Sequence, residues 1–193
     1  MARSASSRRV AALALFVAGA AIMASAIYIP AKAALAQVLL QRAWVRAQQG
    51  EKNVRPWPWA DVTPIAEIEI PSLSERIIVL EGASGSAMAF APGHMHNSAA
   101  IGKGGTAIIA AHRDTHFRDL GLLKTGDLIG TATADGRRAI YRVVATRIVR
   151  ADASGLDPSD KGSTGSRLAL VTCYPFIGLL HSKWRYVVLA DRI

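Results

Sequence analysis

Hydrophobic and polar positions divide the chain into two unlike parts. Val10 to Ile29 is a run of twenty residues without a charge, preceded by Arg3, Arg8 and Arg9. That length suits a membrane-spanning helix. Ala31 to Gln49 is rich in Ala, Leu, Gln and Arg with no internal proline or glycine, so it predicts a helical extension that Gly50 can cap. Leu35, Val38 and Leu39 share a face of that extension, but the apolar stripe fades. The stretch Val54-Arg-Pro-Trp-Pro-Trp59 cannot continue a helix through its prolines and reads as a linker or clasp whose tryptophans serve packing.

From Thr63 the period changes to two. Ile65, Glu67 and Glu69 alternate with Ala66, Ile68 and Ile70, and Arg76 to Leu80, Asp127 to Ala132 and Ala139 to Val149 predict further strands. Asp135-Gly136 is a tight-turn signal that makes a hairpin of the last two. Apolar runs at 105–111, 168–172 and 184–190 add three more. Only Phe117 to Lys124 offers an alternative helix, so the reading is a mainly β fold, a closed and mostly antiparallel β-barrel with a few short helices behind an N-terminal transmembrane helix. The expected divisions are 1–9 as a basic cytoplasmic terminus, 10–29 as the anchor, 30–56 as helical stalk and linker, and 57–193 as the folded domain.

Charge sharpens this picture. Arginines precede the apolar run, whereas only Lys32 falls in the dozen residues after it, which orients the N-terminus to the cytoplasm and the folded domain to the periplasm or exterior of a single-pass protein of the cytoplasmic (inner) membrane. Ala24-Ser25-Ala26 resembles a signal-peptide cleavage site, but the run exceeds the roughly 7 to 15 residues usual for a signal core, which favours a retained anchor. The formal net charge is +9, yet residues 1–50 hold six of the 23 Lys and Arg and no acid, leaving 17 basic against 14 acidic residues elsewhere. No basic stripe with interleaved aromatics supports a nucleic-acid surface.

Candidate chemistry lies at strand ends. Cys173 is the single cysteine and closes one apolar run, His112 closes another, and Arg185 stands at the start of a third. A lone cysteine is otherwise a small buried hydrophobe. If the strands ending at His112 and Cys173 run parallel and the one starting at Arg185 runs antiparallel, all three lie on one rim, with Cys173 and Arg185 opposed across a hairpin. The thiolate is the nucleophile, and a neighbouring cation favours it. Arginine stays protonated, so His112 is the proton carrier and Arg185 the stabiliser of a developing oxyanion. Other motifs fail on detail. His112-Arg113-Asp114 lacks the asparagine of a kinase loop, since Asp119 stands there; a cysteine phosphatase needs arginine where Leu179 stands; papain-like proteases place cysteine before histidine. The histidine pairs His94/His96 and His112/His116 lack further ligands at metal spacing.

Ala111-His-Arg-Asp-Thr-His-Phe117 with Leu120 and Gly126-Asp127, then Leu170-Val-Thr-Cys-Tyr-Pro-Phe176 and Trp184-Arg-Tyr-Val-Val188, resemble the sortase family over roughly Trp57 to Ile193. Pro92-Gly93-His94 and Thr172 to Phe176 resemble its proteobacterial (Gram-negative) subgroup. The resemblance implies a membrane-anchored cysteine transpeptidase on a sortase-like β-barrel, with Cys173, His112 and Arg185 catalytic, no metal and no cofactor. Its partners are then a protein substrate with a C-terminal LPXTG-like sorting signal and an amine acceptor at the cell envelope. His94 is expected to border the substrate groove, and Thr172 and Tyr174 to contact substrate. Asn97 to Gly105 departs from the pattern in lacking a proline. A membrane-tethered cysteine hydrolase and a non-catalytic peptide-binding barrel are the alternatives. Asp114 either orients His112 or pairs with Arg113; His181 and Lys183 are expected in a solvated loop before Arg185.

Overall fold

The computed structural model describes residues 2–158, 160–161, 164–178 and 182–193, so His181 and Leu179 lie outside the described residues. The chain forms two compact units, Met1–Val38 and Leu39–Ile193.

The first unit is helical, part of α1 (Ala2–Gln48), and Pro30 sits inside that helix without ending it. Leu13, Phe16, Ile22, Met23 and Ile27 are exposed along it. By length and composition the helix is able to cross a membrane. Its Ser25 hydroxyl donates to the Ile22 carbonyl 2.8 Å away, satisfying itself on its own backbone.

The second unit begins with the last turns of α1, where Leu40, Ala43, Trp44 and Ala47 recur at helical spacing and are buried with Val54, Ala60, Val62, Leu80 and Ala91. Leu35 and Val38, expected on the apolar face, are exposed instead. From Leu39 the segment expected as a stalk belongs to the barrel's unit. Trp57 of the clasp meets Phe90 edge-on at 5.0 Å between ring centroids, while Trp59 is exposed.

Eight strands close the barrel: β1 (Pro64–Ile70), β2 (Glu75–Glu81), β3 (Gly93–His94), β4 (Gly105–Ala110), β5 (Leu128–Thr133), β6 (Arg138–Arg150), β7 (Ser166–Tyr174) and β8 (Trp184–Arg192), in the order β1-β2-β3-β4-β7-β8-β6-β5. The alternation read from the sequence holds, with Ile68 and Ile70 buried and Glu69 exposed. The β5–β6 hairpin turns at Asp135-Gly136, where Gly136 takes φ +85° and the Thr133 amide donates to the Arg137 carbonyl at 2.9 Å. Pairing is antiparallel except for β2 with β3 and β4 with β7. The short β3 carries no periodicity to read, and it fits beside β2 because Gly93 lacks a Cβ, which would fall 2.1 Å from the Gly82 carbonyl oxygen. Phe117 to Lys124 forms turns and a 3₁₀ turn at Leu120–Leu122 in place of an α-helix. Phe117, Leu120 and Leu123 are buried at the three-residue spacing of that tighter winding.

Two apolar clusters flank the central strands. Ala107, Ile109, Leu168, Leu170, Val188 and Ala190 belong to the barrel interior with Ile68, Ile129 and Tyr141. Ile108, Ala169, Val187 and Leu189 form a separate cluster with Met95, Val149, Leu156 and Val171 on the outer side.

Candidate active site

Strand register assembles the site. β4 and β7 run parallel with Ala110 beside Val171, and β7 and β8 run antiparallel with Cys173 directly opposite Arg185. The β4–β7 ladder continues past the end of β4: the Ala111 amide donates to the Val171 carbonyl at 3.1 Å, and the Thr172 hydroxyl donates to the Ala111 carbonyl at 2.8 Å. His112 is therefore delivered level with Cys173 on the neighbouring strand.

Alternation then decides the face. Side chains two apart along a strand share a side of the sheet. Ile108 on β4, Ala169 and Val171 on β7, and Val187 and Leu189 on β8 all pack in the outer cluster. Two residues beyond Val171 and two before Val187 bring Cys173 and Arg185 to that same outer face, and four residues beyond Ile108, past the end of β4, bring His112 there. The parallel and antiparallel arrangement expected from the three apolar runs is the one observed.

Cys173 is half-buried, His112 exposed and Arg185 half-buried. The Arg185 guanidinium donates through Nη1 to the carbonyls of Ser182 at 2.7 Å and Trp184 at 2.9 Å. These bonds hold it against the entry of β8. Both bonds are made by Nη1.

Thr172, Tyr174 and His94 are the three further residues expected at the substrate groove. Thr172 is buried on the inner face, its hydroxyl committed to the Ala111 carbonyl. Tyr174 also lies on the inner side, stacked on Tyr186 at 6.4 Å and edge-on to Phe176 at 6.1 Å. His94 is a buried strand residue: on β3, beside Ile109, its Nε2 donates to the Ala99 carbonyl at 2.8 Å and lies 3.1 Å from the Ser98 hydroxyl. Burial pushes its pKa below the usual imidazole range, against the opposing effect of the Ala99 carbonyl. It lines a groove with Glu81, Ile101 and Thr133, and among the described residues its hydrogen bonds go to Ala99 and Ser98.

Two residues near the site carry roles that the sequence did not signal. Arg113 reaches the loop that follows Cys173, donating to the Pro175 carbonyl at 2.6 Å and to the Gly178 carbonyl. The histidine segment and the cysteine segment are thereby tied together. Phe176 in that loop covers Gly121, where a Cβ would come within 2.7 Å of its ring. His116, half-buried, has its pKa pushed down by burial, with a hydrogen bond to the Phe90 backbone opposing and the His112 charge adding to the shift. Nothing in residue type or spacing separates Arg113 or His116 from solvated loop residues, so both needed the fold to be found.

A family model for the sortase domain matches residues 68–193, from β1 to the end of β8. The chain belongs to the sortase family. Within that family it is 29% identical to Sortase D of Bacillus subtilis (strain 168) over 126 residues, 65% of this chain and 62% of that protein. The match thus spans less than two thirds of that relative. Among solved structures, a Clostridium perfringens Sortase D5 transpeptidase aligns with a TM-score of 0.59 at 26% identity, covering 68% of this chain and 79% of that one. Sortase A from Corynebacterium diphtheriae gives the same TM-score of 0.59 at 21% identity over 83% and 85% of the two chains, a likeness of fold. The closed eight-strand barrel is the sortase barrel, and the sortase match covers all three residues of the outer-face trio.

Proposed function

We propose that this sortase is a membrane-anchored cysteine transpeptidase that cleaves an LPXTG-like C-terminal sorting signal between threonine and glycine and transfers the protein to an amine acceptor. The observation that carries the reading is the register of Cys173 with Arg185 on the face to which alternation also brings His112. The apolar floor beside the thiol, with Ile108, Val171 and Val187, suits the apolar part of such a signal.

The chemistry balances with these groups alone. The Cys173 thiolate attacks the threonine carbonyl carbon, and Arg185 stabilises the oxyanion. The carbon–nitrogen bond to glycine breaks as His112, protonated, gives its proton to the departing amine. A thioester remains. An incoming amine loses a proton to His112 and attacks the thioester; the carbon–sulfur bond breaks and the thiolate returns. No metal or cofactor is required.

In this reading residues 1–9 are cytoplasmic, 10–29 cross the inner membrane once, 30–56 connect, and 57–193 act at the periplasmic or outer side. The exposed apolar side chains of α1 and the arginines before them support it. Pro92-Gly93-His94 and Thr172 to Phe176 support membership in the proteobacterial subgroup. We assign substrate contact to the backbone of β7 at Thr172 and Tyr174, which flank Cys173; His94 borders a separate groove with Thr133 and Arg137.

The test mixes the full chain, in detergent, with a sorting-signal peptide and a series of amines. Ligated amide that grows with amine concentration supports transfer. Free acid insensitive to amine reassigns the site as a hydrolase, and unmodified peptide with tight binding reassigns the barrel as a peptide receptor.

A further inference from the structure

We propose that a cationic pocket at the opposite rim of the barrel binds a phosphoryl anion. The pocket, about 280 Å³, is lined by Lys103, Arg137, Arg138 and Arg192, with Thr131 and Thr133 at its wall. The β4–β7 register puts Cys173 at the C-terminal end of β7, whereas Lys103 precedes β4 and Arg192 ends β8, so this pocket and the catalytic trio sit at opposite ends of the same strands.

The four cations come from separate elements: the loop before β4, the β5–β6 turn, the start of β6 and the end of β8. The one carboxylate bonded among them is Asp135, which takes Arg137 Nε at 3.0 Å and Nη2 at 2.7 Å. That pairing, with the Thr133 hydroxyl, holds the Asp135 carboxyl down to about 2. It also fixes the guanidinium so that Nη1 is turned away from Asp135. Nη1 is buried and has no hydrogen-bond partner among the described residues. A buried, charged donor without a partner is costly, and native structures rarely leave one without a reason. Arg192 donates through Nη1 to the Gly102 carbonyl at 3.2 Å, which steadies it over the same loop. Lys103, Arg138 and Arg192 form no ion pair among the described residues.

Like charges gathered at one pocket repel unless an anion joins them. A single arginine fork satisfies a carboxylate, whereas donors converging from several directions suit a tetrahedral oxyanion with more oxygens to accept them. The Thr131 hydroxyl donates to the Ala139 carbonyl at 3.4 Å and the Thr133 hydroxyl is engaged within its own turn, so the cations supply the binding. A phosphoryl group has the matching charge and shape, either as free phosphate or as the headgroup of an anionic phospholipid. The last turn of α1 reaches this rim: Ala47 and Gly50 line the adjoining groove with Thr133 and Arg137.

The full chain in detergent is titrated calorimetrically with inorganic phosphate, with chloride at equal ionic strength as control, and its retention of phosphatidylglycerol against phosphatidylcholine is read by native mass spectrometry. The Lys103→Gln/Arg138→Gln double variant leaves the Asp135–Arg137 turn intact, and Arg147→Gln removes an exposed charge of β6 outside the pocket. We expect saturable binding that weakens at least about tenfold in the double variant and is unchanged in Arg147→Gln. Phosphate binding without lipid selectivity marks a soluble phosphoryl ligand; phosphatidylglycerol selectivity without phosphate binding marks a headgroup; both together support the pocket for either source. No preference over chloride and phosphatidylcholine, an unweakened double variant, or an equal loss in Arg147→Gln overturns the proposal.

Discussion

Cys173 stands directly across the β7–β8 ladder from Arg185, yet the arginine's Nη1 is bonded to the carbonyls of Ser182 and Trp184. Backbone register has brought the pair together while the side chain remains tethered at the strand entry. The proposed chemistry uses the guanidinium held there to stabilise the oxyanion. Arg185→Lys keeps the charge but not the fork, and Arg185→Ala removes both. Turnover should fall about 10² to 10³-fold in Arg185→Ala, the usual cost of losing one oxyanion donor, with lysine restoring only part. Peptide affinity should change little. A loss confined to affinity, with turnover intact, would assign Arg185 to binding.

Thr172 holds the histidine segment in register. Its hydroxyl bond to Ala111 is buried between β7 and the end of β4. Thr172→Val keeps the shape and removes the donor, leaving the Ala111 carbonyl short of a partner at a cost of about 1–3 kcal/mol. Thermal unfolding of the barrel should show that loss together with reduced turnover, and Thr172→Ser should recover both. If valine left the melting temperature unaltered, the bond would have no part in aligning His112.

Arg113 clasps the loop after Cys173 through the Pro175 and Gly178 carbonyls. In Arg113→Ala the loop is released, and chymotrypsin should cut at Phe176 faster than in the parent. Turnover should drop several-fold, up to about tenfold, because these bonds are partly exposed and screened. Unchanged cleavage and unchanged turnover together would show that the loop is held by the Tyr174–Phe176–Tyr186 packing alone.

His94 makes stability depend on pH. Burial lowers its folded-state pKa below the ordinary value of 6.5, so in the unfolded chain the imidazole takes up a proton at a higher pH than in the barrel. Its contribution is therefore fully present above about pH 6.5 and declines as pH falls below that value towards the folded pKa. His94→Gln keeps a side-chain amide able to donate to the Ala99 carbonyl and should flatten the melting temperature across this acid window. A parent protein whose melting temperature is level from pH 7 to 5, or a variant with the same slope, contradicts this assignment.

Much of the scaffold was legible in the sequence, because a period of two survives wherever one strand face is buried. Glu67 and Glu69 against Ile68 and Ile70, and Asp135-Gly136 between β5 and β6, gave their elements at once. The strand-end positions of His112, Cys173 and Arg185 were legible too, since the first two close apolar runs and the third opens one. Other features depend on tertiary partners. The strand at His94 was not legible, because β3 has only the residues Gly93–His94, too few for a pattern. The buried stripe of α1 shifted to Leu40, Ala43, Trp44 and Ala47, since what covers it is the distant pair Val62 and Leu80. The inner-face partners of Thr172 and Tyr174, the Ala111 carbonyl and the Tyr186 ring, come from strand pairing, which residue type alone does not signal. Arg113 is one exposed-type residue among many until the loop at Pro175 folds over it.

The most direct test of the central claim is the intact mass of the full chain after brief exposure to a sorting-signal peptide without added amine. The account predicts a gain equal to the acyl fragment ending in threonine, lost on hydroxylamine treatment and absent in Cys173→Ala. Peptide cleavage that proceeds in Cys173→Ala, or an adduct located on any other residue, contradicts it.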